Sequence, residues 1–380
     1  MVSERAAATS PFTAMEVLER ANELDDVIHL EVGEPDFQPP AAVVEAAVRS
    51  LRAGNTGYTT SRGKPALREA IRDYYDDRYG VDVPTDRIVV TPGSSPALLI
   101  AFLTTVDPGE EVVLTDPHYA CYPNFVRQAG GRISTVPLDH DDGFTPAIGR
   151  FDEAISDRTA ALMLNSPANP TGAVIPGDDL AALTRLAGRH DTTIVCDEVY
   201  HGLDYGDRAP SVLEYTDEAF VVDGFSKRFA MTGWRLGWMV CPPDSVDAVN
   251  RLAQNLLICA PNFVQDAGEA ALREAADTIP AVRELYRERR DLVVDRIEDL
   301  GLGLGYTPGG AYYLLVDVRD SGDAFAVADA LLESAGVALT PGADFGERAE
   351  PFLRLSYAAS TADLEEGLDR IERALETATV

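Results

Sequence analysis

Lysine is nearly absent from this chain. Of its 32 basic residues only Lys64 and Lys227 are lysines; all the others are arginines. Cysteine is sparse as well. Cys121, Cys196, Cys241 and Cys259 show no CxxC spacing, and Cys196 and Cys241 sit in apolar runs. That pattern excludes a zinc knuckle or a disulfide frame and reads as reduced thiols of an intracellular protein. The five histidines have neither metal-ligand spacing nor a nucleophile partner, so no metal site is expected. No apolar run reaches membrane-spanning length, and Met1-Val-Ser-Glu-Arg-Ala6 lacks an apolar signal core; a soluble, cytoplasmic protein is expected. Positive charge is short overall. A net charge of −31, spread along the length, repels nucleic acid and anionic membranes and argues against both as partners. An evenly acidic surface with so little lysine suits a halophilic setting, where salt screens the repulsion.

What is present is an α/β alternation. With 380 residues, 46% of them hydrophobic, the chain can bury a large core and divide in two. A short helix is expected over Phe12 to Glu23, then a Gly/Pro loop from Val32 to Pro40, and helices over Ala41 to Arg52 and Pro65 to Arg78. Seven apolar runs then read as strands: Ile88–Thr91, Glu111–Leu114, Ile133–Val136, Ala160–Leu164, Thr192–Cys196, Ala219–Val222 and Leu236–Val240. Helical patterns such as Pro96–Thr105 and Asp178–His190 fall between several of them, which predicts a mostly parallel sheet covered by helices on both faces. Helical sequence dominates from Asp244 to Leu300. The last 80 residues read as an α+β unit, with strands near Tyr312–Val316 and Phe352–Tyr357 and helices near Asp323–Ser334 and Thr361–Glu376. The expected division is a large domain of residues 41–280 and a small domain built from residues 1–40 and 281–380.

Ligands of such sheets gather beyond the carboxyl ends of the strands, so the residues just past each strand carry the functional information. After Thr91 comes Pro92-Gly-Ser94-Ser95-Pro96, a turn in which Ser95 is expected to cap a helix starting at Pro96, a seat for an anion. After Leu114 comes Asp116-Pro-His-Tyr119, with an aromatic that can cover a flat ring or simply pack. After Leu164 comes Asn165-Ser-Pro-Ala-Asn169-Pro-Thr-Gly172, asparagines that either close their own turn or donate to a ligand. After Cys196 comes Asp197-Glu-Val-Tyr200; an acid at the end of an apolar strand needs a partner, expected to be a cation. Between the last two strands of the run lies the loop with Ser226, Lys227 and Arg235. Arginine cannot form an imine, whereas a desolvated lysine amine attacks carbonyls. Arg354, inside the pattern Phe352-Leu-Arg-Leu-Ser-Tyr357, either grips a carboxylate or faces water from an edge strand. An amine, an anion seat, a ring cover, a carboxylate and an arginine together meet the needs of pyridoxal phosphate acting on an amino acid.

The motifs Asn165-x-Pro-x-Asn-Pro-Thr-Gly172, Asp197-x-x-Tyr200 and Ser226-Lys-x-Phe-x-Met-Thr-Gly-Trp-Arg235 resemble the class I/II aminotransferases among the fold-type I pyridoxal phosphate enzymes. Gly33-Glu-Pro-Asp-Phe37, Tyr58 and Phe352-Leu-Arg354 extend the resemblance over nearly the whole chain. The resemblance implies a homodimer that uses pyridoxal 5'-phosphate and takes an amino acid and a 2-oxo acid, with 2-oxoglutarate as the expected acceptor. It implies that Lys227 carries the Schiff base and shuttles the proton, that Asp197 holds the pyridine nitrogen, and that Tyr200 and Asn169 hold the ring oxygen. Tyr119 would stack on the ring. Ser94, Ser95, Arg235 and Tyr58 of a second copy would bind the phosphate. Arg354, Asn169 and the backbone of Gly33 would bind the substrate carboxylate, and Arg62 is the candidate for a distal one. Two positions depart from the family pattern. Gly224 stands where many relatives have a phosphate-binding serine, leaving open whether Ser226 replaces it, and Pro96 stands where glutamine is frequent. A β-eliminating C–S lyase on the same scaffold is the alternative activity; a cofactor-binding regulator without turnover is the alternative of another class. Elsewhere, Gly301-Leu-Gly-Leu-Gly305 reads as a loop, Asp139-His-Asp-Asp142 as solvated surface and Lys64 as a surface lysine.

Overall fold

The computed structural model describes residues 2–377. Its strands are, in chain order, β1 (Ile28–His29), β2 (Ile88–Thr91), β3 (Glu111–Asp116), β4 (Arg132–Pro137), β5 (Thr159–Asn165), β6 (Thr193–Asp197), β7 (Ala219–Gly224), β8 (Gly237–Val240), β9 (Tyr313–Asp317), β10 (Val337–Ala338), β11 (Thr340–Pro341) and β12 (Phe352–Ser356). The seven expected strands form one sheet in the order β2-β8-β7-β6-β5-β3-β4. Its pairs β3–β4, β3–β5, β5–β6 and β6–β7 are parallel, while β8 runs antiparallel to both β2 and β7. Every residue of β2, β7 and β8 is buried, as expected of strands covered on both faces.

Alternation divides the side chains between two cores. Val90, Cys196, Val221 and Trp238 face one layer, with the helix Pro65–Tyr79 against it. Val89, Val195, Val222 and Met239 face the other, with the helix Ser94–Thr105. A second body of structure forms around the three-stranded antiparallel sheet β11-β12-β9 and the parallel pair β1–β10. Its core joins Leu30 to residues of the helices Ile279–Asp299 and Thr361–Thr377, and also takes in Val199, Tyr200 and Leu203. No helix among the described residues is long and apolar enough to cross a membrane.

Several local expectations are corrected. Ser95 does not cap its helix: Gly93 is the N-cap, at φ +93°, and the helix starts at Ser94. A turn in that left-handed region favours glycine, and it moves the helix start two residues earlier. Lys64 is not a free surface lysine. It pairs with Asp266 and donates to Asn262 Oδ1 at 3.0 Å. Within Asp139–Asp142 only part is solvated: Asp141 is exposed, but the His140 ring is held against Phe144, Tyr306 and Phe352. The stretch 301–305 is a loop, and all four cysteines are free. Among the described residues there is no cluster of His, Cys, Asp and Glu that could hold a metal.

Candidate active site

The loops after β2, β3, β5, β6 and β7 meet at one edge of the sheet, around a cavity of about 210 Å³. Its lining includes Ser94, Ser95, Tyr119, Asn169, Asp197, Tyr200, Ser226, Lys227 and Arg235, with Gly33 and Arg354 from the second body of structure. Eleven of the residues expected from the sequence are therefore brought together.

Asp197 ends β6 and is buried. Among the described residues no cation bonds to it directly, although the expected cation, Lys227, lies near enough to favour its ionised form. Its Oδ2 accepts from the Tyr122 hydroxyl at 2.8 Å and its Oδ1 from the Val199 N–H at 3.2 Å. Burial pushes the carboxyl up to about 6, and these two hydrogen bonds restrain the rise. Such a carboxylate favours a nearby cation strongly, because it has little solvent to lose. Lys227 stands across the cavity. Its Nζ donates to the Gly33 carbonyl at 3.0 Å and lies 5.7 Å and 5.8 Å from the ring centres of Tyr200 and Tyr312. The Tyr200 hydroxyl donates to the Tyr313 hydroxyl at 3.3 Å, and burial raises its phenol well above the ordinary value. Tyr119 packs edge-on against Tyr122 and Phe12.

The start of the helix Ser94–Thr105, which lines the cavity, is suited to an anion. Here two hydroxyls and unpaired N–H groups meet the positive end of the helix dipole. A Cβ on Gly93 would come within 2.5 Å of Arg235 Nη2, so the guanidinium lies directly over that turn. Arg235 is itself at φ +54° and donates to the Thr232 carbonyl at 2.9 Å. Gly224 does not line the cavity, whereas Ser226 does. Gly224 pairs with Gly237 across β7–β8, and a Cβ there would press on the Leu236 carbonyl at 3.2 Å.

Arg354 lies on the central strand β12, not on an edge, and is buried. Its Nη1 donates to Asn169 Oδ1 at 3.1 Å and its Nη2 to the Glu31 carbonyl. The guanidinium is sandwiched 4.5 Å and 4.6 Å from the ring centres of Tyr313 and Phe345, and its Nε finds no partner among the described residues. Gly33 is obligatory: a Cβ would collide with the Tyr313 hydroxyl and the Tyr312 ring.

Tyr58 and Arg62 are not part of this cavity. Tyr58 is 83% exposed, and Arg62 donates to the Asp86 carbonyl. Conversely, Tyr122, Tyr312 and Tyr313 belong to the site and were not singled out from the sequence. Tyr122 follows Tyr119 at the start of the next helix, where its N–H closes a turn onto the Tyr119 carbonyl at 3.0 Å. Phe12, Met15 and Val32 add an apolar wall on the N-terminal side.

These residues fit pyridoxal phosphate. A lysine amine, a buried carboxylate and a helix N-terminus under an arginine surround one cavity, and a buried arginine with an unpartnered nitrogen lies beside it. The family model described as aminotransferase class I and II matches residues 25–371. A (5-formylfuran-3-yl)methyl phosphate transaminase of Methanocaldococcus jannaschii is 38% identical over 383 residues, covering 99% of this chain and 100% of that one. An aspartate/prephenate aminotransferase of Thermus thermophilus is 39% identical, covering 98% of each chain. The solved structure of a Thermus thermophilus aspartate aminotransferase with maleate superposes with a TM-score of 0.95 at 38% identity, covering 98% of this chain and 99% of that one. The chain belongs to the class I and II aminotransferases, and pyridoxal phosphate is the cofactor its cavity is built to hold.

Proposed function

We propose that this aminotransferase moves the amino group of an L-amino acid to 2-oxoglutarate by ping-pong exchange, as a homodimer. The observation that supports it most is the placing of Lys227 Nζ, 3.0 Å from the Gly33 carbonyl, in a cavity that holds the buried Asp197 and is bordered by Arg354.

When bound, pyridoxal phosphate supplies an aldehyde that condenses with amines and a protonated pyridine ring that withdraws electrons from the substrate Cα. Asp197 keeps a proton on the pyridine nitrogen, helped by the Tyr122 hydroxyl. Ser94, Ser95, Ser226 and Arg235 hold the phosphate, and Tyr119 covers one face of the ring. Tyr200 and Asn169 donate to the ring oxygen. Arg354 grips the substrate carboxylate with Asn169 and the Gly33 backbone, which fixes the Cα beside Lys227. Lys227 Nζ, facing the cavity, would be the base placed to take up and hand back the substrate Cα proton. Phe12, Met15 and Val32 exclude water while it does so.

In the proposed dimer, Tyr58 extends from its loop into the phosphate seat of a second copy, which accounts for its exposure here. Arg62 shares that loop and would meet a distal substrate carboxylate there. The proposed division into residues 41–280 and 1–40 with 281–380 is supported by the separate core around β9 and β12. The test is a half-reaction survey in high salt. Protein loaded with pyridoxal phosphate is mixed with single amino acids, without oxo acid, and the matching 2-oxo acid is assayed. Stoichiometric oxo acid supports the reading, and regeneration by 2-oxoglutarate supports the acceptor. Pyruvate with free ammonia from cysteine-type substrates would replace it with a lyase.

A further inference from the structure

Three cofactor-handling residues are each followed by a residue that enters a different, fully buried cluster: Asp197 by Glu198, Tyr200 by His201 and Lys227 by Arg228. Strand alternation explains the first. Asp197 pairs in register with Val222 and shares its face, so Glu198 points with Cys196 to the opposite layer, where Asp223 also points. The cluster therefore lies behind the sheet edge, between it and the helix Pro65–Tyr79.

Its hydrogen bonds connect the segments that carry the site. Arg228 donates through Nη1 to Asp223 Oδ1 at 3.1 Å and to the His201 carbonyl at 2.9 Å, and through Nη2 to Asp223 Oδ2 at 2.9 Å. One guanidinium thus ties the residue after Lys227 to β7 and to the residue after Tyr200. It is held between aromatic faces, 4.9 Å from the Tyr74 ring centre and 5.4 Å from that of Trp238. Glu198 Oε1 accepts from the Ser211 hydroxyl at 3.1 Å and the Val212 N–H at 2.9 Å. Its Oε2 lies 3.4 Å from His201 Nδ1, which also meets the Tyr79 hydroxyl at 2.5 Å. Arg78 donates to Asp204 Oδ1 at 3.0 Å on the outer side.

We propose that Glu198, His201 and Arg228 are positioning residues for transamination: the buried cluster fixes from behind the three segments that present Asp197, Tyr200 and Lys227. None of the three lines the cavity. Their role is geometric and electrostatic, exerted through neighbours. Burial opposes the Arg228 cation, but Asp223 together with Tyr74 and Tyr79 more than offsets it, so the guanidinium stays charged. Burial pushes Glu198 up to about 8 and keeps His201 neutral. The groups facing Glu198 are Cys196, Asp197, His201, Ser211 and Asp223, with Tyr75 and Tyr79 from the helix. In a site of this kind a misplacement of ~1 Å costs on the order of 100-fold in rate. The proposal rests on the family's activity but not on which amino acid is the donor.

The test compares Arg228→Lys and Glu198→Gln in the full chain, with melting temperature as the control on folding. Lysine keeps the charge but cannot make three directed bonds. Arg228→Lys is expected to lower kcat about tenfold or more while leaving the amino-acid KM within about twofold, and to weaken uptake of pyridoxal phosphate by the cofactor-free protein. Glu198→Gln keeps the shape and the Ser211 bond but cannot ionise. An ionised Glu198 stabilises positive charge above it, so its loss should move the alkaline change in the bound cofactor's absorbance to lower pH. Wild-type kcat in Arg228→Lys together with an unmoved absorbance titration in Glu198→Gln would overturn the proposal. Losses of kcat and cofactor affinity that merely track melting temperature would do the same. Should Arg228→Lys not fold, Glu198→Gln decides alone, a moved titration supporting and an unmoved one refuting. If no donor amino acid turns over, cofactor affinity and absorbance still read the cluster separately from the proposed reaction.

Discussion

Arg354 Nη1 and Asn169 Oδ1 meet at 3.1 Å although 185 positions separate them in sequence. The contact joins the central strand of the three-stranded sheet to the loop after β5, so the carboxylate grip proposed for Arg354 depends on how the whole chain packs. Arg354→Ala is expected to weaken amino-acid binding by about 2–5 kcal/mol, the range for losing one partner of a buried charged pair. Substrate titration against the absorbance of the loaded enzyme measures it, and unchanged affinity would remove Arg354 from the site.

Tyr122→Phe removes the shortest hydrogen bond to Asp197. Bonds to charged groups contribute about 1.5–3 kcal/mol, and without this one the carboxyl rises further above 6. Cofactor affinity should therefore fall by about tenfold or more near neutral pH, with the deficit shrinking as pH rises and Asp197 ionises. Equilibrium titration of cofactor-free protein at two pH values checks this.

Gly93→Ala carries a double penalty. The positive-φ backbone at φ +93°, ψ 174° costs about 1–3 kcal/mol for a residue with a Cβ, and the methyl would sit 2.5 Å from Arg235 Nη2. Weaker pyridoxal phosphate binding is expected, with the amino-acid KM of the saturated enzyme little changed. Equal affinity in mutant and wild type would mean that Arg235 does not complete the phosphate seat.

Lys227→Ala should abolish turnover and the covalent cofactor absorbance while changing stability by about 1 kcal/mol or less, because among the described residues the amine's hydrogen bond is the one to the Gly33 carbonyl. Chemical denaturation together with a cofactor spectrum distinguishes this from unfolding.

Cofactor-free protein should lose stability as pH rises from the acid range to about 8. Asp197 and Glu198 bind protons more tightly folded than unfolded, with folded values of about 6 and about 8. Their contributions are complete below the unfolded carboxylate values and disappear as pH rises through the folded ones. Glu198→Gln should flatten that loss by up to about 1.4 kcal/mol per pH unit. Urea melts across this range provide the measurement, and parallel curves for the two proteins would mean that Glu198 does not titrate with folding.

The sequence was most legible where one strand ended and a loop began. Apolar runs located all seven strands of the large sheet, and the residues after them delivered Asp197, Asn169 and Lys227 to the cavity. Direction was less visible, since β8 is as apolar as the parallel strands of the sheet and only pairing reveals that it runs against both its neighbours. Tyr122 was obscured because its backbone is helical and its hydroxyl acts on a strand 75 positions later. The cluster of Glu198, His201 and Arg228 was hidden for a related reason. Charged residues in an acidic chain read as surface, and only packing shows that these three are enclosed. Tyr58, expected from its motif at the phosphate of a second copy, is exposed to solvent in the single chain.

Lys64 is only 27% exposed and engaged with Asp266, and that pairing changes what amine chemistry can do on this molecule. Lys227 lines the cavity, whereas the Lys64 amine is tied to Asp266 and Asn262, so acylating or reductive reagents should react faster at Lys227 than at Lys64. Mass spectrometry of labelled protein would then count occupied sites directly, with cofactor protection read as loss of one adduct.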